Sequence, residues 1–223
     1  MLFEKQEYKE RLNKVKIYMQ KKGIDLLVSH DPSNMNYLTG YDGWSFYVPQ
    51  GVIVALDKDE PIWFGRKQDS NGARITTFLK EENILGYPES LIQSPPSHPY
   101  DYLANYIHNN KWEKKNIGVE MDSYYYTAEN HNRLITKCPN ANFKDGHLLV
   151  NWIRYIKSDA EIAFMQEGAK LVQAGMQTAY NEIKPGVKQS YVAGKIQQTL
   201  LAGNDQVQIG GEYSGNQSTG DYY

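Results

Sequence analysis

Short apolar runs alternate with longer amphipathic segments over about the first 150 residues, and this alternation restricts the fold more than any other feature. Apolar runs at 24–28, 51–56 and 61–64 predict strands, and the polar stretch 57–60 predicts a turn that joins the last two into a hairpin. Residues 4–22 instead carry apolar side chains three or four positions apart, as one face of a helix requires: Tyr8, Leu12, Val15 and Met19. Alternating strands and helices predict an α/β fold.

The same alternation continues along the rest of this region. Gly23 is expected to end the first helix, because glycine readily adopts the left-handed backbone that closes a helix. Further patterns predict helices at 72–79, 99–109 and 124–137, strands at 83–86 and 116–120, and alternating apolar stretches at 143–153. We therefore expect a first domain over residues 1–152.

A different pattern begins at Ser158 and Glu161, whose spacing is that of a capping box at the start of a helix. The predicted helix continues to about residue 183. It carries an apolar stripe that we expect to be buried: Ile162, Met165, Ala169, Val172, Met176 and Tyr180. A second helix is predicted at 189–201, because Pro185 stops the first one.

Two helices joined by a short turn cannot bury both of their apolar faces alone. The polar end of the chain adds only a weak strand at 207–209. We expect residues 153–223 to be the start of an incomplete α+β domain with an irregular end, in a chain that stops early.

Charge and cysteine content narrow the possible partners and the compartment. A formal charge of −2 with no dominant basic block argues against nucleic acid as a partner. No apolar run reaches the ~18 residues of a membrane span, so no membrane partner is expected. Cys138 is the only cysteine, which excludes an intramolecular disulfide and favours a cytoplasmic location.

The segment TGYDGWSFYVPQG, residues 39–51, holds four aromatic side chains and three glycines between a helix pattern and a strand pattern. Its aromatic residues are Tyr41, Trp44, Phe46 and Tyr47. They form either a hydrophobic cluster beneath a loop or the wall of a pocket for a small organic molecule.

Two segments about 120 residues apart add a family pattern. NMNYLTGY at 34–41 and RYIKSDAEIAFMQEGAKL at 154–171, followed by Lys-Pro-Gly at 184–186, resemble the creatinase/prolidase/methionine aminopeptidase superfamily, whose fold is called pita-bread. The resemblance is to its two-domain branch. GYDGWSFYVPQ at 40–50 and FGRKQDSNGA at 64–73 resemble ectoine hydrolases most closely within it.

The resemblance implies a mixed-sheet N-terminal domain with helices, followed by the first helices of a pita-bread domain. It also implies a homodimer in which residues 39–51, here called the aromatic loop, close the partner's pocket around a small-molecule substrate. In creatinases this loop carries a Ser-Phe-Gly-Arg pattern; Ser45 and Phe46 agree with it, but Val48 stands where the arginine would be. By this resemblance the substrate-binding candidates are Tyr41, Trp44, Phe46, Tyr47, Arg66 and Asp69.

Arg66 can pair with a substrate carboxylate, and Asp69 is expected to orient Arg66. The alternative for these two residues is an ordinary surface ion pair. His98 and His131 are expected to be solvated, and Cys138 to be a buried or half-buried residue.

The implied reaction is hydrolysis of a C–N bond in a small cyclic amidine, by a parent enzyme of which this chain alone is inactive. The superfamily's reacting groups lie beyond the two helices, so no catalytic residue and no metal ligand is assigned here. Two divalent metals are expected only if the parent is an Xaa-Pro aminopeptidase or prolidase, which is the alternative enzyme. The sequence also allows a non-catalytic binding module or a truncated product without function.

Overall fold

The computed structural model describes residues 2–203, which divide into two compact units, one ending at Ile156 and the other beginning at Lys157. The predicted boundary after residue 152 falls within the last helix of the first unit. The predicted strand at 207–209 lies outside the described residues.

The first unit contains a six-stranded mixed sheet with the strand order β4-β3-β2-β1-β5-β6. Strand β2 is antiparallel to its neighbours β1 and β3, and the other adjacent pairs are parallel. The predicted hairpin is thereby confirmed as β2 and β3. The strands are β1 (Leu26–Ser29), β2 (Gly51–Ala55), β3 (Ile62–Arg66), β4 (Ile84–Tyr87), β5 (Asn116–Val119) and β6 (Asn142–Asp145).

Helices cover both faces of this sheet, so the mixed α/β class predicted from the sequence is confirmed. On β1, Leu26 and Val28 face a core shared with α4 and α5, whereas Leu27 faces a core shared with α1, α2 and α6. This alternation follows from the two-residue period of a strand. The helices are α1 (Lys5–Lys22), α2 (Pro32–Thr39), α3 (Ser70–Thr76), α4 (Pro99–Asn109), α5 (Ala128–Lys137) and α6 (Leu149–Tyr155).

The strand directions bring several loops to one edge of the sheet. The carboxyl ends of β1, β3, β4, β5 and β6 meet there with the amino end of β2, because only β2 runs the opposite way. The aromatic loop, which precedes β2, therefore lies beside the residues that follow β1, β3 and β5. In α/β sheets this is the edge at which ligands commonly bind.

Local chemistry explains where the predicted bounds hold and where they move. Gly23 ends α1 with a φ of +62°, as predicted. Helix α5 begins later than the predicted residue 124, because the side chain of Thr127 accepts a hydrogen bond from the backbone of Asn130 and caps the helix there. The predicted stretch 143–153 contains the end of β6 and most of α6.

The second unit contains α7 (Asp159–Glu182) and α8 (Gln189–Ala202), which pack against each other. The capping box is confirmed: Ser158 and Glu161 bond each other's backbone N–H groups at 3.2 and 2.9 Å. The two helices approach closely where Gly175 lies against Leu200. A Cβ at position 175 would lie only 2.9 Å from Leu200 Cδ2, so a larger residue would not fit there without a shift.

The expected burial of the α7 stripe is wrong for the described residues. All six of its members are exposed: Ile162, Met165, Ala169, Val172, Met176 and Tyr180. Helix α7 buries small residues against α8 instead, namely Ala174 and Gly175, since small side chains let the two helix backbones approach. None of the helices in residues 2–203 is long and apolar enough to cross a membrane.

Candidate functional site

A cavity of about 430 Å³ opens at the sheet edge where the loops converge. Three segments line it, together with His30 directly after β1 and two residues of α2, Pro32 and Met35. The segments are the aromatic loop from Ser45 to Gln50, most of residues 91–99, and part of residues 124–133. Its size is within the range of small-molecule sites.

The tip of the aromatic loop forms part of the cavity wall. Phe46 is 79% exposed and Tyr47 is 59% exposed, and both line the cavity. Trp44 is half-buried behind them, with its ring centroid 6.4 Å from that of Phe46 and 6.1 Å from that of Tyr125. The structure therefore brings three of the predicted site residues together.

Tyr41 lies elsewhere, in the hydrophobic core. It is 4% exposed, and its ring centroid is 5.3 Å from that of Trp63 on β3. It is not among the residues that line the cavity. For Tyr41 the packing thus corresponds to the hydrophobic alternative, because it fills the space between α2 and the sheet.

Arg66 ends β3 and lies beside the aromatic loop. Its Nε donates to both carboxylate oxygens of Glu89 at 2.9 and 2.7 Å, and its Nη1 donates to the Tyr47 hydroxyl at 3.4 Å. The hydrogen bond with Glu89 raises the pKa of Arg66 and lowers that of Glu89. Glu89 rather than Asp69 therefore orients Arg66, and the sequence pattern did not identify Glu89.

Asp69 has a different partner. Its carboxylate accepts from Gln50 Nε2 at 2.9 Å, and the same Gln50 nitrogen donates to the Tyr41 hydroxyl at 3.3 Å. Burial raises the pKa of Asp69 above its ordinary value. Asp69 thus connects the end of the aromatic loop to the start of α3.

His30 is a cavity residue that the sequence pattern did not single out. It is 1% exposed, its Nε2 forms a hydrogen bond with the Tyr100 hydroxyl, and its ring stacks on Tyr126 at a centroid distance of 4.5 Å. Burial lowers the pKa of His30 to about 3, so the imidazole is neutral at physiological pH. Its position directly after a buried strand was the available signal.

A buried carboxylate, Glu120, ties the same edge together. Its oxygens accept from the Ser29 hydroxyl, the backbone N–H groups of His30 and Asp31, and Asn34 Nδ2 at distances of 2.6 to 2.9 Å. Four donors offset the loss of hydration of a charge that is almost fully buried. The network fixes the loop that follows β1.

Asn34 extends this network to the end of the first unit. Its Nδ2 also donates to Asn151 at 2.9 Å, and its Oδ1 accepts from Arg154 Nη1 at 2.7 Å. Asn34 and Arg154 each begin one of the two family segments. The hydrogen bond between Asn34 and Arg154 therefore gives each of these two residues a structural role.

The expectation that His98 and His131 are solvated is wrong. His98 is half-buried, lines the cavity and caps α4 by accepting from the Tyr100 backbone at 3.1 Å. His131 is half-buried as well, and its Nδ1 lies 3.0 Å from the Tyr126 hydroxyl. The prediction for Cys138 is confirmed, since it is fully buried and its pKa is raised by burial to about 11.

Within residues 2–203, no group of three or more His, Cys, Asp or Glu side chains could hold a metal ion. The described part of the chain therefore offers no ligand set that fits a pair of divalent metals.

Comparison with known proteins bears on this architecture directly. Residues 11–156 match the model of the creatinase/prolidase N-terminal domain. The chain belongs to this family. The creatinase/prolidase N-terminal match covers the sheet, all six helices that flank it except the start of α1, and the cavity.

Among curated relatives of this family member, the ectoine hydrolase of Halomonas elongata is 45% identical over 203 residues, which cover 90% of this chain and 50% of that protein. An uncharacterized hydrolase/peptidase of Sinorhizobium fredii is 42% identical, with 91% and 52% covered. The chain thus spans about half the length of these relatives. The predicted similarity to ectoine hydrolase is confirmed.

Solved structures show the same fold. An Xaa-Pro dipeptidase from Bacillus anthracis has a TM-score of 0.68 at 18% identity, covering 86% of this chain and 48% of that one. A prolidase from Pyrococcus horikoshii has a TM-score of 0.66 at 17% identity, covering the same shares. At these identities the likeness shows a shared fold.

Proposed function

We propose that this chain is the N-terminal part of a hydrolase that cleaves a C–N bond in a small cyclic amidine, with ectoine as the first substrate to test. The observation that carries the proposal is the gradient of similarity among relatives. Identity is 45% with an ectoine hydrolase, against 26% with a creatinase from Bacillus and 23% with an Xaa-Pro dipeptidase from Lactobacillus delbrueckii.

The aromatic loop supplies the substrate contacts in this proposal. Phe46 and Tyr47 expose large rings at a ligand-binding edge, and Trp44 supports Phe46 from behind. A delocalised amidinium against such rings gains ~0.5–2 kcal/mol by cation–π attraction, depending on its hydration. The loop would serve the pocket of the partner in a homodimer.

Arg66 is placed to contact an anionic group of the same substrate. Glu89 holds its Nε and Nη2, which fixes the guanidinium plane beside Tyr47. Substrate binding and the Glu89 contact then compete for one cation, so replacing Glu89 is expected to change KM. Tyr41 and Asp69 support the loop from within rather than meeting the substrate.

An Xaa-Pro aminopeptidase or prolidase activity is the alternative, favoured by the fold shared with dipeptidase structures. Metal ligands for such an activity would come from outside residues 2–203. A non-catalytic binding module is a further alternative. The buried free thiol of Cys138 is compatible with a cytoplasmic location, which we also propose.

The test uses the longest translation product that contains residues 1–223. It is incubated with ectoine and, separately, with an Xaa-Pro dipeptide, each with and without a chelator. Ring opening of ectoine that survives the chelator supports the proposal. Dipeptide cleavage that the chelator abolishes supports the alternative, and turnover of neither substrate supports the binding module.

Variants of the loop test its role within the same product. Phe46→Ala and Tyr47→Ala are each expected to reduce kcat/KM for ectoine by about tenfold, in line with the loss of one cation–π contact. Tyr18→Ala is the matched control, because Tyr18 is an exposed aromatic residue on α1. Equal activity of all three variants would mean that the loop does not contact the substrate.

A further inference from the structure

Four aromatic rings form a continuous series of contacts from the turn after β5 to the tip of the aromatic loop. The ring centroid of Tyr125 lies 6.1 Å from that of Trp44. From Trp44 the series continues to Phe46 at 6.4 Å, and from Phe46 to Tyr47 at 6.1 Å. The first and last of these pairs are edge-to-face, an arrangement in which aromatic rings attract each other. The position of each ring therefore restrains the position of the next.

The ring at the start of the series, Tyr125, lies in a turn that is anchored on both sides. Its backbone N–H donates to the Ser123 hydroxyl at 3.3 Å, and the N–H of Ser123 donates to the backbone carbonyl of Glu120 at 3.1 Å. The next residue, Tyr126, is buried and stacks on His30. Tyr125 is itself half-buried, so this turn gives its ring a fixed place beside the loop.

The loop at the other end of the series has less support from its own backbone. Residues 42–49 form neither a helix nor a strand. The backbone N–H of Asp42 donates to the Thr76 hydroxyl at 3.3 Å, and the carbonyl of Pro49 accepts from the Tyr87 hydroxyl at 2.8 Å. These bonds hold the two ends of the loop. The tip between them depends on side-chain packing for its position, and the ring series supplies part of that packing.

We propose that Tyr125 is a positioning residue for the aromatic loop. Its ring orients Trp44, and through Trp44 it holds Phe46 and Tyr47 in the geometry that a ligand meets. The inference rests on the proposed function, because the ligand of the loop is the same substrate. All four rings belong to one chain, so Tyr125 acts in the same way whether the loop serves its own subunit's pocket or that of a partner.

Kinetics of the longest translation product that contains residues 1–223 test this role. Tyr125→Leu removes the ring and is expected to raise KM for ectoine about three- to tenfold, in line with the loss of one aromatic pair. The value of kcat should change by less than about twofold, because a displaced loop weakens binding of the substrate and of the transition state alike. Tyr125→Phe keeps the ring and should restore KM. Tyr18→Leu, at an exposed tyrosine on α1, is the matched control and should leave KM unchanged.

A double-variant comparison separates positioning from direct contact with the substrate. If Tyr125 acts through Trp44, the Tyr125→Leu change should have little further effect on KM in a Trp44→Leu background. If Tyr125 instead touches the substrate itself, the change should raise KM by the same factor in both backgrounds.

A further measurement needs no turnover. The chain is labelled with 5-fluorotryptophan, and the Trp44→Phe variant identifies the ¹⁹F resonance of Trp44 among those of the four tryptophans. Tyr125→Leu should shift and broaden this resonance, whereas the resonances of Trp63 and Trp112, which are buried in the cores, should stay in place. Tyr125→Phe should return the Trp44 resonance towards its original position.

Three results would overturn the role of Tyr125. They are an unchanged Trp44 resonance in a folded Tyr125→Leu chain, an unchanged KM in that variant, and an equal rise in KM with and without the Trp44 indole. If Tyr125→Leu does not fold, nuclear Overhauser contacts between the rings of Tyr125 and Trp44 in the unchanged chain decide the question, and their absence overturns the role as well. If the unchanged product does not hydrolyse ectoine, the proposed function fails, but a shifted Trp44 resonance still supports Tyr125 as the residue that positions the loop.

Discussion

Residues 34–41 and residues 44–47 are neighbours in one segment, and both resemble known relatives, yet the structure uses them differently. Asn34 and Tyr41 are buried in a network and in a core, whereas Phe46 and Tyr47 project from the surface. Burial separates two reasons for a sequence pattern. The first stretch is explained by folding. Packing does not explain the exposed rings of Phe46 and Tyr47, so their contact with a ligand is a prediction to be tested.

The largest expected effect on stability comes from removing Glu120, at the centre of the buried network that holds Asn34. Replacing Glu120 by alanine leaves four buried donors without their acceptor, so the free energy of unfolding should fall by about 3–5 kcal/mol. Urea denaturation measures the loss. Asp122→Ala, at an exposed carboxylate two positions further along, serves as the control and should not shift the midpoint. A similar midpoint for both variants would mean that Glu120 does not organise this edge.

Tyr41→Ala is expected to have the next largest effect. It removes a ring that packs against Trp63, and the cavity left behind should lower the free energy of unfolding by about 3 kcal/mol. The fully exposed Tyr124 provides the comparison, because Tyr124→Ala should cost less than ~0.5 kcal/mol. A stable Tyr41→Ala variant with impaired ligand binding would instead return Tyr41 to the binding site.

These contrasts show which parts of the molecule the sequence could predict. Local periodicity predicted α1, because the buried face of a helix repeats every three or four residues. A proline-containing loop followed by Pro99 predicted α4, because proline is favoured at the first position of a helix. The hairpin was predicted because a polar turn joins its strands directly. The strand order β4-β3-β2-β1-β5-β6 was not predicted, since it depends on pairings between strands that are far apart in sequence.

The site follows the same division. An aromatic-rich loop was visible in the sequence, and Phe46 and Tyr47 do line a cavity. The partnership of Arg66 with Glu89 joins residues 23 positions apart, and that of Asn34 with Glu120 joins residues 86 apart. No local pattern encodes such pairs. Asp69 was assigned to Arg66 because it is near in sequence, but the sheet edge brings Gln50 to it instead.

The buried His30 should make the free energy of unfolding depend on pH. Folding lowers its pKa from 6.5 to about 3, so below pH 6.5 the unfolded chain binds a proton that the folded chain does not. The contribution of His30 to the free energy of unfolding therefore falls as the pH drops from 6.5 towards 3, by up to ~1.4 kcal/mol per pH unit. Denaturation of the unchanged chain and of His30→Phe between pH 4 and 6.5 measures this slope. The variant should show a shallower dependence, and identical slopes would mean that His30 titrates normally in the folded chain.

The smallest expected effect on stability concerns Phe46. It tests whether the exposed ring contributes to folding. Phe46→Ala should change the free energy of unfolding by less than ~0.5 kcal/mol, because the ring is 79% exposed and buries little area. Val48, two residues along the same loop, is buried, so Val48→Ala should cost about 1–2 kcal/mol. If urea denaturation shows that Phe46→Ala costs as much as Val48→Ala, the ring contributes to a hydrophobic cluster, and its chemistry needs no ligand to explain it. If only Val48→Ala is destabilised, folding does not account for an aromatic ring at position 46, and recognition of a ligand remains as its reason.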